Sequence, residues 1–168
     1  MSYTSFLIGF LLFFASTNIS CEQASQKLKS IDNFLAVTKI VDGDTFWADN
    51  GTSKGIKIRL IGVDAPESRK IFKKGVGFYG KEAKAYLTKV LRGKKVKLAF
   101  DVDSLDQFKR TLAYVYLEDG TFVNAELIKN GYAMVMTVPP NVKFADMFVK
   151  LQNEARQNNR GLCKISNH

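Results

Sequence analysis

The chain has 168 residues, with 25 Lys+Arg against 16 Asp+Glu and a formal net charge of +9. That length suits one domain rather than two, and 46% hydrophobic residues with 13 Phe are enough to build a core. The only histidine is the terminal His168 and the only cysteines are Cys21 and Cys163. This excludes histidine general catalysis, a Ser–His–Asp triad, a multi-histidine or cysteine-rich metal cluster and a disulfide scaffold. Hydrolytic chemistry must then rest on carboxylates, arginines, hydroxyls and a hard cation.

Residues 1–21 carry no charged side chain, and the apolar run from Phe6 to Ala15 is too short to span a bilayer. The segment reads as a secretory signal, so the protein is expected to be exported, either secreted or associated with the envelope. Cys21 follows a small residue, as a lipidated cysteine would, but Asn18 stands where such signals carry Leu. Ordinary cleavage, a lipid anchor at Cys21 and a Cys21–Cys163 disulfide all stay open. Residues 22–32 read as a polar linker, 33–163 as the folded domain and 164–168 as a tail.

Within the domain, residues 34–41 form a β-branched strand stopped by Asp42-Gly43-Asp44, and 45–48 form a second. Asp49-Asn50-Gly51 supplies a hairpin turn. Residues 56–63 alternate and then become wholly apolar, as a third strand. After a basic loop from Lys70 to Gly80, Ala83, Tyr86, Leu87, Val90 and Leu91 recur at helical spacing and Gly93 ends the helix. Residues 95–100 and 111–117 read as the fourth and fifth strands and 123–130 as a short helix. Beyond Pro139-Pro140, the residues Phe144, Met147, Phe148, Leu151 and Ala155 form the apolar face of a last helix. Five strands in one small domain point to an α+β fold: a five-stranded OB-type Greek-key barrel with three packed helices.

Three charged clusters mark the strand ends: Asp42-Gly43-Asp44, then Arg59 with Asp64 and Glu67, then Asp106 to Arg110. Antiparallel pairing of the first three strands is expected to set Asp44 beside Asp64. A carboxylate pair without His or Cys suits a hard, oxygen-seeking cation such as Ca²⁺. Arginine forks beside it match phosphate oxygens, and Glu67 is left to handle a water. Taken singly, each cluster is also an ordinary turn or a solvated ion pair.

Taken together, the clusters carry a resemblance. Ile40-Val-Asp-Gly-Asp-Thr45, Ile58-Arg-Leu-Ile-Gly-Val-Asp-Ala-Pro-Glu67, Lys73-Lys-Gly-Val76 with Tyr79-Gly80, Arg110-Thr-Leu-Ala-Tyr-Val-Tyr116 and Val123-Asn-Ala-Glu-Leu127 resemble the staphylococcal (micrococcal) nuclease family in order and spacing, from Leu35 to Leu162. The resemblance implies an OB barrel with three helices and a Ca²⁺-dependent phosphodiesterase that acts on DNA and RNA and leaves 3′-phosphate ends. It makes Asp44, Asp64 and the backbone carbonyl of Ala65 the calcium ligands, with Asp42 supporting them. It makes Glu67 the residue that deprotonates or orients the attacking water, and Arg59 and Arg110 the clamp on the scissile phosphate. Lys73, Lys74 and Phe108 are the expected substrate-binding residues.

The departures from the family pattern lie in the groove, where Phe108 replaces a Tyr, Gln107 a Lys, and Met134-Val135-Met136-Thr137 a tyrosine-rich stretch. Cys163 stands where relatives carry Trp and is expected to be a packing residue. A monomer with no obligate protein partner is expected. The rival reading is a non-catalytic OB module that binds nucleic acid in the cell envelope. The presence of all five of Asp44, Arg59, Asp64, Glu67 and Arg110 speaks against it.

Overall fold

A computed structural model describes residues 31–69 and 77–164. Among the described residues seven strands and three helices follow one another: β1 (Ile31–Asp42), β2 (Thr45–Ala48), β3 (Ile56–Leu60), β4 (Gly62–Asp64), α1 (Gly80–Leu91), β5 (Lys95–Ala99), β6 (Thr111–Leu117), α2 (Val123–Lys129), β7 (Met134–Met136) and α3 (Ala145–Gln157), with a 3₁₀ turn at Gly161–Lys164. Five of the strands close a barrel in the order β1-β2-β3-β6-β5. The β3–β6 pair is parallel and the other barrel pairs are antiparallel. This is the expected OB-type barrel with three helices.

The strand pattern explains the closure. Phe46 and Ala48 of β2, Ile58 of β3, Val96 of β5 and Val115 of β6 are fully buried, while their neighbours Trp47, Lys57, Lys95, Lys97 and Tyr116 are half-buried or exposed. Helix α1 buries Ala83, Leu87 and Leu91 on one stripe. Helix α3 is held by an aromatic cluster, in which the Tyr114 and Phe144 rings meet edge-on at 4.6 Å and Phe122 and Phe144 at 5.1 Å.

Two differences from the sequence expectation bear on the site. The first strand begins at Ile31, three residues before Phe34. More important, the expected third strand does not run through to Val63. It breaks at Ile61-Gly62, where Gly62 takes a left-handed φ of +77°. The chain then leaves the barrel as β4, which pairs antiparallel with β7, setting Gly62 opposite Met136 and Asp64 opposite Met134. Leu60 and Ile61 are both buried, one after the other, because Leu60 belongs to the barrel while Ile61 is held by a bond from its N–H to the Ala113 carbonyl and one to its own carbonyl from Asn124 Nδ2. A continuous apolar run therefore conceals the bend. That bend turns Asp64, Ala65 and Glu67 back across the end of the barrel.

Candidate active site

The site is built where the β1–β2 turn meets the chain emerging from β4. Asp42 Oδ1 accepts the Gly43 N–H at 2.9 Å and the Ser68 N–H at 3.0 Å, tying the end of β1 to the segment after Pro66. Asp44 Oδ1 accepts the Thr45 hydroxyl at 2.8 Å, and its Oδ2 accepts the Ala65 N–H at 2.9 Å. Thr45 lies opposite Arg59 in the β2–β3 ladder, so the guanidinium projects beside the turn. Arg59 Nη1 donates to the carbonyls of Val63 (2.6 Å) and Leu60 (3.1 Å). Its Nη2 bridges both carboxylates, at 3.2 Å from Asp44 and 3.1 Å from Asp64. Asp44 and Asp64 are thus brought together through one arginine and the bend at Gly62, not through pairing of the first three strands, since Asp64 lies in β4 and pairs with β7.

Burial divides the labour. The side chains of Arg59 and Asp44 are each 9% exposed, whereas that of Asp64 is 56% exposed. Burial raises the Asp44 pKa above the usual carboxylate value despite the Arg59 charge and two hydrogen bonds, and the Asp64 charge adds to the rise. Glu67 is pushed up to about 7, first by desolvation of its carboxyl, then by a hydrogen bond with Asp42 and by the charges of Asp42, Asp44 and Asp64.

The donor set fits a hard cation. Asp44 and Asp64 bring carboxylate oxygens to a cleft that Lys57, Arg59, Arg69 and Arg110 also line, and such oxygens are the donors a hard cation takes. Among the described residues no group of three or more His, Cys, Asp or Glu side chains is arranged to hold a metal. An ion held by Asp44 and Asp64 would therefore need further oxygens from the backbone, water or substrate.

Arg110 approaches from the turn before β6. Its Nε donates to Asp106 Oδ2 at 2.6 Å, while Asp106 Oδ1 accepts the N–H groups of Phe108 and Arg110, each at 2.9 Å. Against the cost of burial, those bonds and the Arg110 charge hold the Asp106 carboxyl below its ordinary pKa. The Arg110 guanidinium lies 5.3 Å from the centre of the Phe108 ring, and that ring is 69% exposed. One cleft of about 380 Å³ is lined by Asp42, Asp44, Arg59, Asp64, Ala65 and Glu67, and also by Phe108 and Arg110. A second, more apolar cleft shares Arg59, Phe108 and Arg110 and runs on to Met136, Val138 and Pro139. Lys73 and Lys74 lie outside the described residues.

Sequence reasoning named Asp106 and Gly80 without giving either a role, and passed over Lys57. Asp106 fixes Arg110, and the signal was an Asp–Arg pair at i,i+4 in a turn. Lys57 lines the cleft two residues before Arg59, a place that strand alternation alone assigns. Gly80 begins α1 hard against the backbone of Glu67. The expectation for Cys163 concerned packing, and the side chain is buried, which pushes its thiol pKa up; Cys21 lies outside the described residues.

Comparison with known proteins gives a consistent result. A family model of staphylococcal nuclease homologues matches residues 57–164, a span that contains Arg59, Asp64, Glu67 and Arg110. The chain is 39% identical to a thermonuclease of Staphylococcus intermedius over 121 residues, 72% of this chain and 70% of that one. It is 37% identical to a thermonuclease of Staphylococcus hyicus over the same shares. With the endonuclease YncB of Bacillus subtilis it shares 32% identity over 146 residues, 86% of this chain and 67% of the other.

Proposed function

This chain belongs to the staphylococcal nuclease family, and on that premise we propose that it is an exported, calcium-dependent nuclease that hydrolyses phosphodiester bonds of DNA and RNA and leaves 3′-phosphate ends. The observation that carries the reading is the convergence of Asp44, Arg59, Asp64, Glu67 and Arg110 on one cleft. The reading of export rests on the uncharged apolar segment at residues 1–21.

Asp44, Asp64 and the Ala65 carbonyl are the residues that would hold calcium. When bound, the ion supplies a hard positive charge beside the scissile phosphate. Arg59 offers phosphate oxygens its charge and the Nε–H edge of its fork, because its Nη hydrogens go to two carbonyls and two carboxylates, and that anchoring fixes the charge in place before negative charge develops. Arg110 supplies the second fork, held by Asp106. Glu67 takes the proton of the attacking water. A carboxyl poised near neutrality is matched to that task, because it is both available as a base at physiological pH and strong enough to accept the proton. Asp42 orients Glu67 through the hydrogen bond between their carboxyls, and is itself fixed by the Gly43 and Ser68 amides. The net charge of +9 draws a polyanionic substrate.

The test is digestion of single-stranded DNA and of RNA by the purified chain and by Glu67→Gln, with the product ends characterised. The reading expects fragments that resist 3′ extension until treated with phosphatase, and a variant at least about a hundredfold slower. Products with free 3′-hydroxyls, or a variant as fast as the parent, overturn it. A chain that binds but never cleaves is instead the binding module. The mass of the mature N-terminus separates ordinary cleavage from lipid anchorage at Cys21.

A further inference from the structure

We propose that the outer face of β1, β2 and β3 is a track for the nucleotides that flank the cleaved bond, with Lys57, Trp47 and Lys39 as its contacts. The proposal rests on the nuclease reading for the identity of its ligand, and its geometry comes from the sheet alone. In the β2–β3 ladder Thr45 faces Arg59 and Trp47 faces Lys57, and in the β1–β2 ladder Lys39 faces Trp47. The intervening Phe46, Ala48 and Ile58 are fully buried in the barrel, so Arg59, Lys57 and Trp47 all point to the opposite face. Lys39, Trp47 and Lys57 then form one row across three strands.

The row begins at the site. Lys57 lines the same cleft as Arg59 and Glu67, two residues along the strand from Arg59. That offset is about 6.7 Å, close to the advance of one nucleotide in an extended strand. Trp47 stands next to Lys57 and is half-buried. Among the described residues its ring stacks on no other ring, has no cation seated over it, and its indole N–H has no hydrogen-bond partner. Neither Lys39 nor Lys57 pairs with a carboxylate among the described residues. An aromatic surface between two cations that have no carboxylate partner among the described residues, continuous with the arginine-lined cleft, is the combination that holds a single strand by base stacking and phosphate contacts without reading its sequence. The bland alternative is a sheet surface in which lysine stems merely cover an indole. That alternative predicts no response of the row to nucleic acid.

Trp47 is the only tryptophan of the chain, so its fluorescence reports the row directly. The full chain, in EGTA to prevent cleavage, is titrated with a deoxydinucleotide and with a deoxyoctanucleotide. The octanucleotide is expected to quench Trp47 and the dinucleotide to leave it unchanged, with the quench lost at high salt. Lys39→Gln is expected to reduce the slope of log binding constant against log salt by about 0.7, the share of one single-strand phosphate contact. Trp47→Ala is expected to raise KM on long single strands about fivefold or more while kcat holds. Cleavage without octanucleotide quenching, and with Lys39→Gln leaving the salt slope unaltered, overturns the track and spares the nuclease reading. Quenching by a chain that cleaves nothing keeps the track and overturns the nuclease reading. Neither quenching nor cleavage overturns both.

Discussion

Glu67 owes its place to a glycine outside the cleft. Gly77 donates its N–H to the Glu67 carbonyl at 2.8 Å, and Gly80, three residues on, starts α1 against the same peptide. A Cβ added at Gly80 would lie 2.2 Å from Glu67 O, 2.6 Å from Glu67 C and 2.9 Å from Pro66 O. All three are backbone atoms, so no side chain can rotate away, and reaching even a 3.0 Å contact requires the Glu67 peptide to move by about 0.8 Å. Overpacking of this kind costs about 1–3 kcal/mol of stability. Misplacing a catalytic group by about 1 Å costs roughly a hundredfold in rate. Gly80→Ala is therefore predicted to lower kcat by about ten- to a hundredfold while KM changes little, because Arg59 and Arg110 are anchored by the strands and by Asp106 rather than by α1. The assay is steady-state cleavage well below the unfolding temperature. Ile128→Val serves as the control, since it removes one methyl from a fully buried side chain of α2 at a cost of about 1 kcal/mol. A Gly80→Ala enzyme with the parent's kcat, or an Ile128→Val enzyme impaired to the same degree, would refute the reasoning.

Further predictions concern the charges. Arg110→Ala is predicted to lose about a hundredfold or more in turnover with the fold intact, since its ion pair lies near the surface; circular dichroism and kcat check this together. Arg59→Ala removes the partner of a buried carboxylate and is predicted to cost about 3–5 kcal/mol in stability as well as activity, measured by urea unfolding. Asp106→Ala leaves Arg110 without its anchor and is predicted to lower kcat about tenfold, with calcium affinity unchanged by titration. The raised pKa of Glu67 has two signs to check. As a base the carboxyl must be ionised, so kcat/KM is predicted to rise with pH through about 7, and that limb is absent from the residual activity of Glu67→Gln. In the metal-free fold Glu67 keeps its proton to higher pH than in the unfolded chain, so its contribution to stability is full at acid pH and is lost as pH rises through about 7. Glu67→Gln should therefore gain in Tm relative to the parent above neutrality and match it below pH 4.5.

How much of this was legible in the sequence depends on the kind of interaction that fixes each part. Strand alternation around Phe46 and Ile58, and helical spacing from Ala83 to Leu91, are local signals, and the barrel and α1 follow from them. That Asp44 and Asp64 meet was legible as motif order, but the hairpin carries only Arg59 to the turn, and it is the bend beyond Leu60 that returns Asp64 to it. The break at Gly62 was not, since Leu60, Ile61 and Val63 are all buried and the run carries no alternation to interrupt. Strand β7 is three residues long and exists only because β4 leaves the barrel to pair with it, so nothing local marks Met134–Met136. The arginine that joins the carboxylates of Asp44 and Asp64 and the contact of Gly80 with Glu67 are products of tertiary approach, whereas the anchoring of Arg110 by Asp106 is local to one turn. A sequence names such residues without showing what they touch. Even so, the expected residues that fall within the described segments, from Asp42 to Arg110 and including Phe108, line one cleft.

The central claim is that the oxygens of Asp44, Asp64 and Ala65 serve a calcium ion that the arginine-lined cleft requires for cleavage. The most direct measurement is digestion of plasmid DNA and of RNA by the purified full chain in Ca²⁺, in EGTA, and in EGTA with Ca²⁺ restored. The account predicts cleavage of both substrates with Ca²⁺, none in EGTA and full recovery on restoration. Equal cleavage in EGTA, or none in Ca²⁺ by a folded chain that binds DNA, would contradict it.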